Sequence, residues 1–272
     1  MFGKLVKYEF KGTAKLMFMI YAFIGIIGIM AYALGLTNID VGAGLLTFVY
    51  VAAGVVLPFM TNLLLAIRYN KTMFSPQGYL TNTLPVTNKQ LYFSKFITGY
   101  IWSLVSTFVT FLVIFSMLKA TGVWDDVILE FMDYFGIKPP IGFYLFMIVS
   151  LLITLFAFYT EAFFACTICN TSRLQGLGAA GPVLIYFCLL VVMNIISTIV
   201  TLFIPVTLYF TRTFKFHKLS FELPYKFTEL FSENYNPEYI PIGIGGVIVN
   251  VIIYVLLVFL TLKLMKKKVC IK

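Results

Sequence analysis

Six near-continuous apolar runs constrain this chain more than any other feature, because each is about as long as the ~20 residues a helix needs to cross ~30 Å of hydrocarbon. They fall at about 16–36, 41–67, 96–118, 143–168, 181–210 and 242–262. Membrane strands would be shorter and would alternate in polarity, so the pattern predicts an all-α membrane protein with six transmembrane helices. Composition points the same way: 61% of the 272 residues are apolar and only 11% are charged, against ~45–50% and ~25% in soluble domains. Nucleic-acid binding falls away in spite of the net charge of +9. A basic surplus acquires meaning only from where it sits. Ala31-Tyr32-Ala33 has the small-residue spacing of a signal-peptide cleavage site. The apolar run before it exceeds the ~7–15 residues of a signal core, so it reads as a retained span.

Basic residues in short loops mark the cytoplasmic side of a membrane protein. Lys4, Lys7, Lys11 and Lys15 precede the first run, and Arg68, Lys71, Lys89 and Lys95 follow the second. Arg173 lies between the fourth and fifth, and Lys263, Lys266, Lys267, Lys268 and Lys272 end the chain. The only acid among these segments is Glu9. In the alternate segments acids outnumber Lys119, Lys138, Arg212, Lys215, Lys218 and Lys226. Both termini are therefore expected in the cytoplasm, as an even number of crossings requires.

Residues 1–15 are expected to form an amphipathic helix lying on the inner membrane surface. At ~100° per residue the lysines at 4, 7, 11 and 15 share an arc of roughly 80°. Phe2, Leu5, Val6 and Phe10 take the opposite face, which suits apolar burial at the headgroups with ammonium groups meeting anionic lipid. Between the third and fourth runs, Trp124, Val127, Ile128, Phe131, Met132 and Phe135 recur at helical spacing opposite Asp125, Asp126, Glu130 and Asp133. A short outer amphipathic helix is expected there. The outer segment 211–241 alternates Leu219, Phe221, Leu223, Tyr225 and Phe227 with polar residues or proline, consistent with an extended or a re-entrant stretch.

The loop 68–95 carries the most local instruction. Ser75-Pro76 has the pattern of a helix start, with proline at the first helical position, and Pro85 would end the short helix so begun. Thr87 and Gln90 form a T-x-x-Q capping box, which places the start of the third helix near Asn88. Tyr79, Leu80 and Leu84 are thereby carried into the cytoplasm, where apolar groups suggest a docking surface for another protein.

Several motifs fail on context. Gly176-Leu177-Gly178-Ala179-Ala180-Gly181 matches a dinucleotide fingerprint letter for letter, but no strand precedes it and no acid lies ~20 residues on. Its small residues instead suit a tight turn and close helix packing before Pro182. Cys166 and Cys169 lie inside a span without a second pair or a nearby histidine, and read as small apolar fillers. His217 is the only histidine, so no metal site and no common membrane-hydrolase motif is expected. The sequons at Asn70 and Asn170 fall on the inner side, away from glycosylation. Glu161 is the only acid within a span. An acidic group such as Asp costs ~2.5–3.5 kcal/mol near mid-membrane, so Glu161 should face protein or water, in a structural or a functional role.

The start LVKYEFKGT, the stretch QGYLTNTLPVTNKQLYFSK after the second run, six spans and a long outer segment before the last one together resemble the permease subunits of type 2 ABC exporters. The resemblance covers the whole chain in layout and specific residues around 5–13 and 77–95. It implies a single permease domain over 1–272 and a dimer with a second permease subunit, identical or related. It also implies separate cytoplasmic ABC ATPase subunits that bind the ATP and Mg, and residence in a bacterial plasma membrane. The family's coupling helix corresponds to this loop, so the resemblance assigns Pro76, Gln77, Gly78, Tyr79, Leu80, Thr83, Leu84 and Pro85 to contact with the ATPase. The sequence itself contains no G-x-x-x-x-G-K-[ST] loop, so the chain is expected to bind no nucleotide and to take its energy from a partner. The rival expectation is a self-sufficient secondary transporter or channel-like protein, which predicts paired intramembrane ionisable residues and internal symmetry. A membrane enzyme stands third. Seventeen lysines against three arginines suit an AT-rich bacterial source.

Overall fold

With no water in the hydrocarbon core, backbone N–H and C=O groups must bond within their own segment, which leaves long apolar runs one open-ended solution, the helix. The computed structural model describes residues 2–35, 40–76, 78, 85–120, 129, 141–171, 174–203, 206–211, 216–220 and 239–267. It contains α1 (Phe2–Gly35), α2 (Asp40–Phe74), α3 (Asn88–Ala120), α4 (Ile141–Cys169), α5 (Gly181–Phe203) and α6 (Gly245–Lys267). These six are long and apolar enough to cross a membrane, and the chain is a multi-pass, predominantly helical membrane protein.

Three boundaries differ from the sequence expectation. The basic segment 1–15 is not a separate surface helix, because α1 runs unbroken for 34 residues. No proline interrupts it, and the Arg68 side chain lies over Gly12 where a Cβ would stand. α2 continues to Phe74, well past the expected end of its span. α5 stops at Phe203, where the expected span ran to 210. Pro205 follows two residues later, and its ring is incompatible with a continuing helical ladder.

Beyond α5 the chain forms a small antiparallel sheet, β1 (Thr207–Thr211), β2 (Phe216–Ser220) and β3 (Tyr239–Gly243), in the order β2-β1-β3. Thr207 pairs with Ser220 on one side and Gly243 on the other, and a bulge shifts the β1–β2 register between Tyr209 and Phe210. The described parts of 211–241 are thus extended, and the all-α expectation needs this sheet added. The outer helix expected around Trp124 to Phe135 falls almost wholly outside the described residues, as do Gln77 and residues 79–84.

The helices pack as two compact units rather than one. The first comprises Met1–Val127 and Met265–Lys272, and the second Ile128–Leu264. In the first, α1, α2 and α3 pack pairwise around Ile24, Leu57 and Val113. In the second, Met193, Tyr254 and Leu257 form the centre with Phe156, Phe164 and Ile253 against them.

Pro58 lies inside α2. Lacking an N–H, it leaves the carbonyl four residues earlier, that of Gly54, without its helical donor. Thr110 of α3 donates its hydroxyl to that oxygen at 2.7 Å, the shorter of its two contacts. The approach is possible because Gly54 has no side chain: a Cβ there would stand 2.6 Å from Val113 Cγ1. Thr110→Val should cost about 1–3 kcal/mol, the usual penalty for orphaning a buried polar group. Restoring the N–H with Pro58→Ala should remove most of that cost. Chemical unfolding in detergent of both single variants and the double checks the coupling, and additive losses would refute it.

Candidate functional site

Polar side chains inside the helical units gather in two places, one per unit. In the first unit they form a column running along the contact between α1, α2 and α3. At its start, Lys95 Nζ of α3 lies 2.5 Å from Glu9 Oε1 of α1 and 2.9 Å from Thr72 Oγ1 of α2. Arg68 of α2 stands 3.8 Å from the other Glu9 oxygen. The Lys95 side chain is only 5% exposed, so its ammonium depends on these partners instead of water. One turn along α1, Thr13 accepts the Trp102 indole N–H at 2.8 Å, and Phe10 stacks on the indole with centroids 4.5 Å apart. Further along, Ser103 donates to the Asn62 amide oxygen. Ser106 shares its hydroxyl between Thr61 and Tyr21, each at 2.8 Å.

This column joins three helices on both sides of the loop that the sequence singles out. Thr87 and Gln90 form the expected reciprocal cap, with Gln90 N–H donating to Thr87 Oγ1 at 3.3 Å and Thr87 N–H to Gln90 Oε1 at 3.1 Å. Asn88 then donates to the Met265 carbonyl at 3.2 Å. Before the loop, Pro76 and Gly78 are helical, in keeping with the helix start expected at Ser75-Pro76. The Ser75 hydroxyl donates to the Lys71 carbonyl at the end of α2. Gly78 N–H donates to the Ser75 carbonyl at 2.6 Å, and a Cβ on Gly78 would collide with the Met73 carbonyl. The chain thus leaves α2 through a close passage at Gly78 that a side chain would obstruct. Of the residues assigned to coupling, Pro76 and Pro85 are exposed and Gly78 is buried. Gln77, Tyr79, Leu80, Thr83 and Leu84 lie outside the described residues.

Lys4, Lys7, Lys11 and Lys15 are all exposed, while Phe2, Leu5, Val6 and Phe10 are half-buried. The amphipathic pattern is therefore real, but Phe10 spends its apolar face on Trp102 of the same protein as well as on any lipid.

In the second unit Glu161 of α4 is 5% exposed, facing protein as the cost of a charge in hydrocarbon requires. Tyr254 of α6 donates a hydrogen bond to it, and Tyr186 of α5 stands beside the pair. Cys166 and Cys169 are buried thiols, and Cys169 Sγ fills the space beside Gly181 that a side chain there would need. The glycine-rich stretch is a 3-10 turn, Gln175–Ala180, with Gly178 at φ 65. It closes α4 onto α5 and serves packing, as its context in the sequence implies.

The sequence does not reveal Glu9, Lys95, Arg68 and Thr72 as a cluster, since the three charged residues read as membrane topology and Thr72 carries no motif. The available signal was that Glu9 is the one acid among the inner segments. Thr61, Asn62, Ser103 and Ser106 were also passed over, although polar residues three or one apart within apolar runs mark an interhelical seam. No family model matches the chain, and no curated protein or solved structure matches it.

Glu9→Gln leaves the buried ammonium of Lys95 with neutral acceptors and no compensating charge, and should destabilise the first unit by about 3–5 kcal/mol. Adding Lys95→Met removes the stranded charge and should recover most of the loss. Denaturant unfolding in micelles measures both. A double variant no more stable than Glu9→Gln would show that the ion pair is not what holds these helices.

Proposed function

We propose that this protein is the permease subunit of an ATP-driven exporter of the type 2 ABC class, working as a dimer of permeases with separate ATPase subunits. Both termini and the loop after α2 face the cytoplasm in this reading, which the distribution of basic residues supports. The observation that carries the proposal is the ion cluster of Glu9, Lys95, Arg68 and Thr72. It clamps α1, α2 and α3 together next to the loop of residues 75–87. A push on that loop is thereby delivered to three helices at once, and a two-state element of this kind is what a partner's energy can bias.

The absence of a P-loop motif from the sequence supports a partner as the source of energy. Hydrophobic or amphipathic molecules such as peptides, drugs or lipids are the cargo class in this reading, moved outward across a bacterial plasma membrane. Tyr79, Leu80 and Leu84 form the apolar part of the docking surface, with Pro76, Gln77, Gly78, Thr83 and Pro85 shaping it. Changing Tyr79 and Leu80 together to aspartate should abolish co-purification of a Walker-motif ATPase while leaving the protein inserted in the membrane. Retention of the ATPase would remove this loop as the docking site.

Glu161 favours one second reading, a secondary transporter in which the buried carboxylate binds the coupling ion. Vesicles holding only this chain separate the two: uphill transport without nucleotide supports the ion-coupled reading and defeats the ABC one. Within the exporter reading, Glu161→Gln should reduce transport-coupled ATP turnover while the assembled complex persists. Unchanged turnover would take Glu161 out of the mechanism.

A further inference from the structure

α5 is the least covered of the six helices. Leu184, Phe187, Val191, Asn194 and Thr198 are all exposed on it. Their spacing alternates three and four residues, the repeat that keeps one seam of a helix turned toward a partner helix in a left-handed supercoil. Four of these five positions are what lipid alone would tolerate. Asn194 is not, because it lies about 20 Å along the helix from Gly181 at ~1.5 Å per residue, deep in the span.

The Asn194 amide donates one N–H to the Leu190 carbonyl at 2.8 Å. Its second N–H and its Oδ1 meet no partner among the described residues. Exposed hydroxyls in the same helices behave differently. Thr198 bonds back to the Asn194 carbonyl, Ser150 to Met147 and Thr154 to Ser150, each spending its proton within its own helix. A side-chain amide has both more to satisfy and more reach, and in hydrocarbon an unmade polar contact is costly.

We propose that α5 docks against α5 of a second copy of this chain, about a two-fold axis along the membrane normal, with Asn194 of each copy hydrogen-bonded to Asn194 of the other. The amide supplies the argument for a like partner. It carries a donor and an acceptor in one group, so two copies brought together by a two-fold axis satisfy each other, whereas a carboxylate or ammonium at that position would repel its own image. One polar residue in an otherwise apolar seam also fixes register and pair number, since any sliding strands both amides. The seam predicts a shallow crossing near +20°. The inference deepens the proposed function by naming where two permease subunits meet, and it rests on that reading for the existence of the second subunit.

The test uses the full chain fused at its C terminus to a donor or an acceptor fluorescent protein, in vesicles of phosphatidylcholine and phosphatidylglycerol, with lipid added stepwise. Wild-type chains should transfer energy at dilutions where Asn194→Leu chains do not, with association about tenfold weaker in the variant. Asn194→Gln, which keeps the amide, should retain most of the association. Equal association of wild type and Asn194→Leu overturns the proposal, and so does transfer that dilutes away as fast as for a non-associating membrane protein, which would mean that lipid covers this face.

A second measurement does not depend on the amide variants. With Cys166, Cys169, Cys188 and Cys270 replaced by alanine, Phe187→Cys, Val191→Cys and Thr198→Cys should oxidise to disulfide-linked dimers. Leu189→Cys and Ile196→Cys, on the half-buried side of α5, should not. The reverse pattern, or none, overturns the proposal. Loss of ATPase co-purification with self-association intact defeats the exporter reading alone, and loss of the α5 contact with the ATPase still bound defeats this inference alone.

Discussion

A polar group placed in hydrocarbon has only other protein groups to bond, and this single restriction organises the molecule. It forces the apolar runs into helices, and then it acts again at each point where a helix departs from ideality. Pro58 removes one donor from α2 and exposes the Gly54 carbonyl, and the answer comes from Thr110 on the neighbouring helix. The same logic binds Trp102 to Thr13, Ser103 to Asn62 and Lys95 to Glu9. Apolar packing alone discriminates poorly between helix faces in a bilayer, since lipid tails are as apolar as leucine. The polar seam is therefore what selects which faces of α1, α2 and α3 meet and in which register.

The two units solve the problem with different chemistry. In the first, an ion cluster near one end and hydroxyls further along join three long helices. In the second, one carboxylate interacts with two phenols, one of which, Tyr254, belongs to the apolar cluster of Met193 and Leu257, and the turn at Gly178 and the glycines at 181 and 246 bring backbones close. Gly246 faces the Thr201 hydroxyl and the Ser197 carbonyl, and Asn250 bonds Ser197 at 3.0 Å. Small residues there do what ions do in the first unit: they hold helices at short range.

Much of the architecture was legible in the sequence because hydropathy reports the length of a span directly. The six spans follow from run length, and the start of α3 follows from Thr87 and Gln90, a local pair whose geometry needs nothing from the remainder of the fold. Features that depend on two distant segments were not legible. Glu9 and Lys95 are 86 residues apart, and nothing local to either distinguishes a topology charge from half of an ion pair. Thr110 looks like any span threonine until Pro58 is placed beside it. The sheet was hidden because β1 lies at the end of an apolar run, where a continuing helix and a strand carry the same residues, and its partners come from both sides of a long connection. For the coupling positions the sequence supplied residue types, the helix start at Pro76 and the cap at Thr87, while the structure supplied the close approach of Gly78 to the Met73 carbonyl.

The unbroken course of α1 has a mechanical consequence. A rod of 34 residues is roughly 50 Å long at ~1.5 Å per residue, so a tilt of about 5° at one end sweeps the far end through about 4 Å. A joint between a surface helix and a span would absorb that rotation locally. Here the grip of Glu9 on its neighbours sits near one tip of the rod, so a small angular change on the basic side is magnified into a displacement as wide as a methyl group on the opposite side of the bilayer.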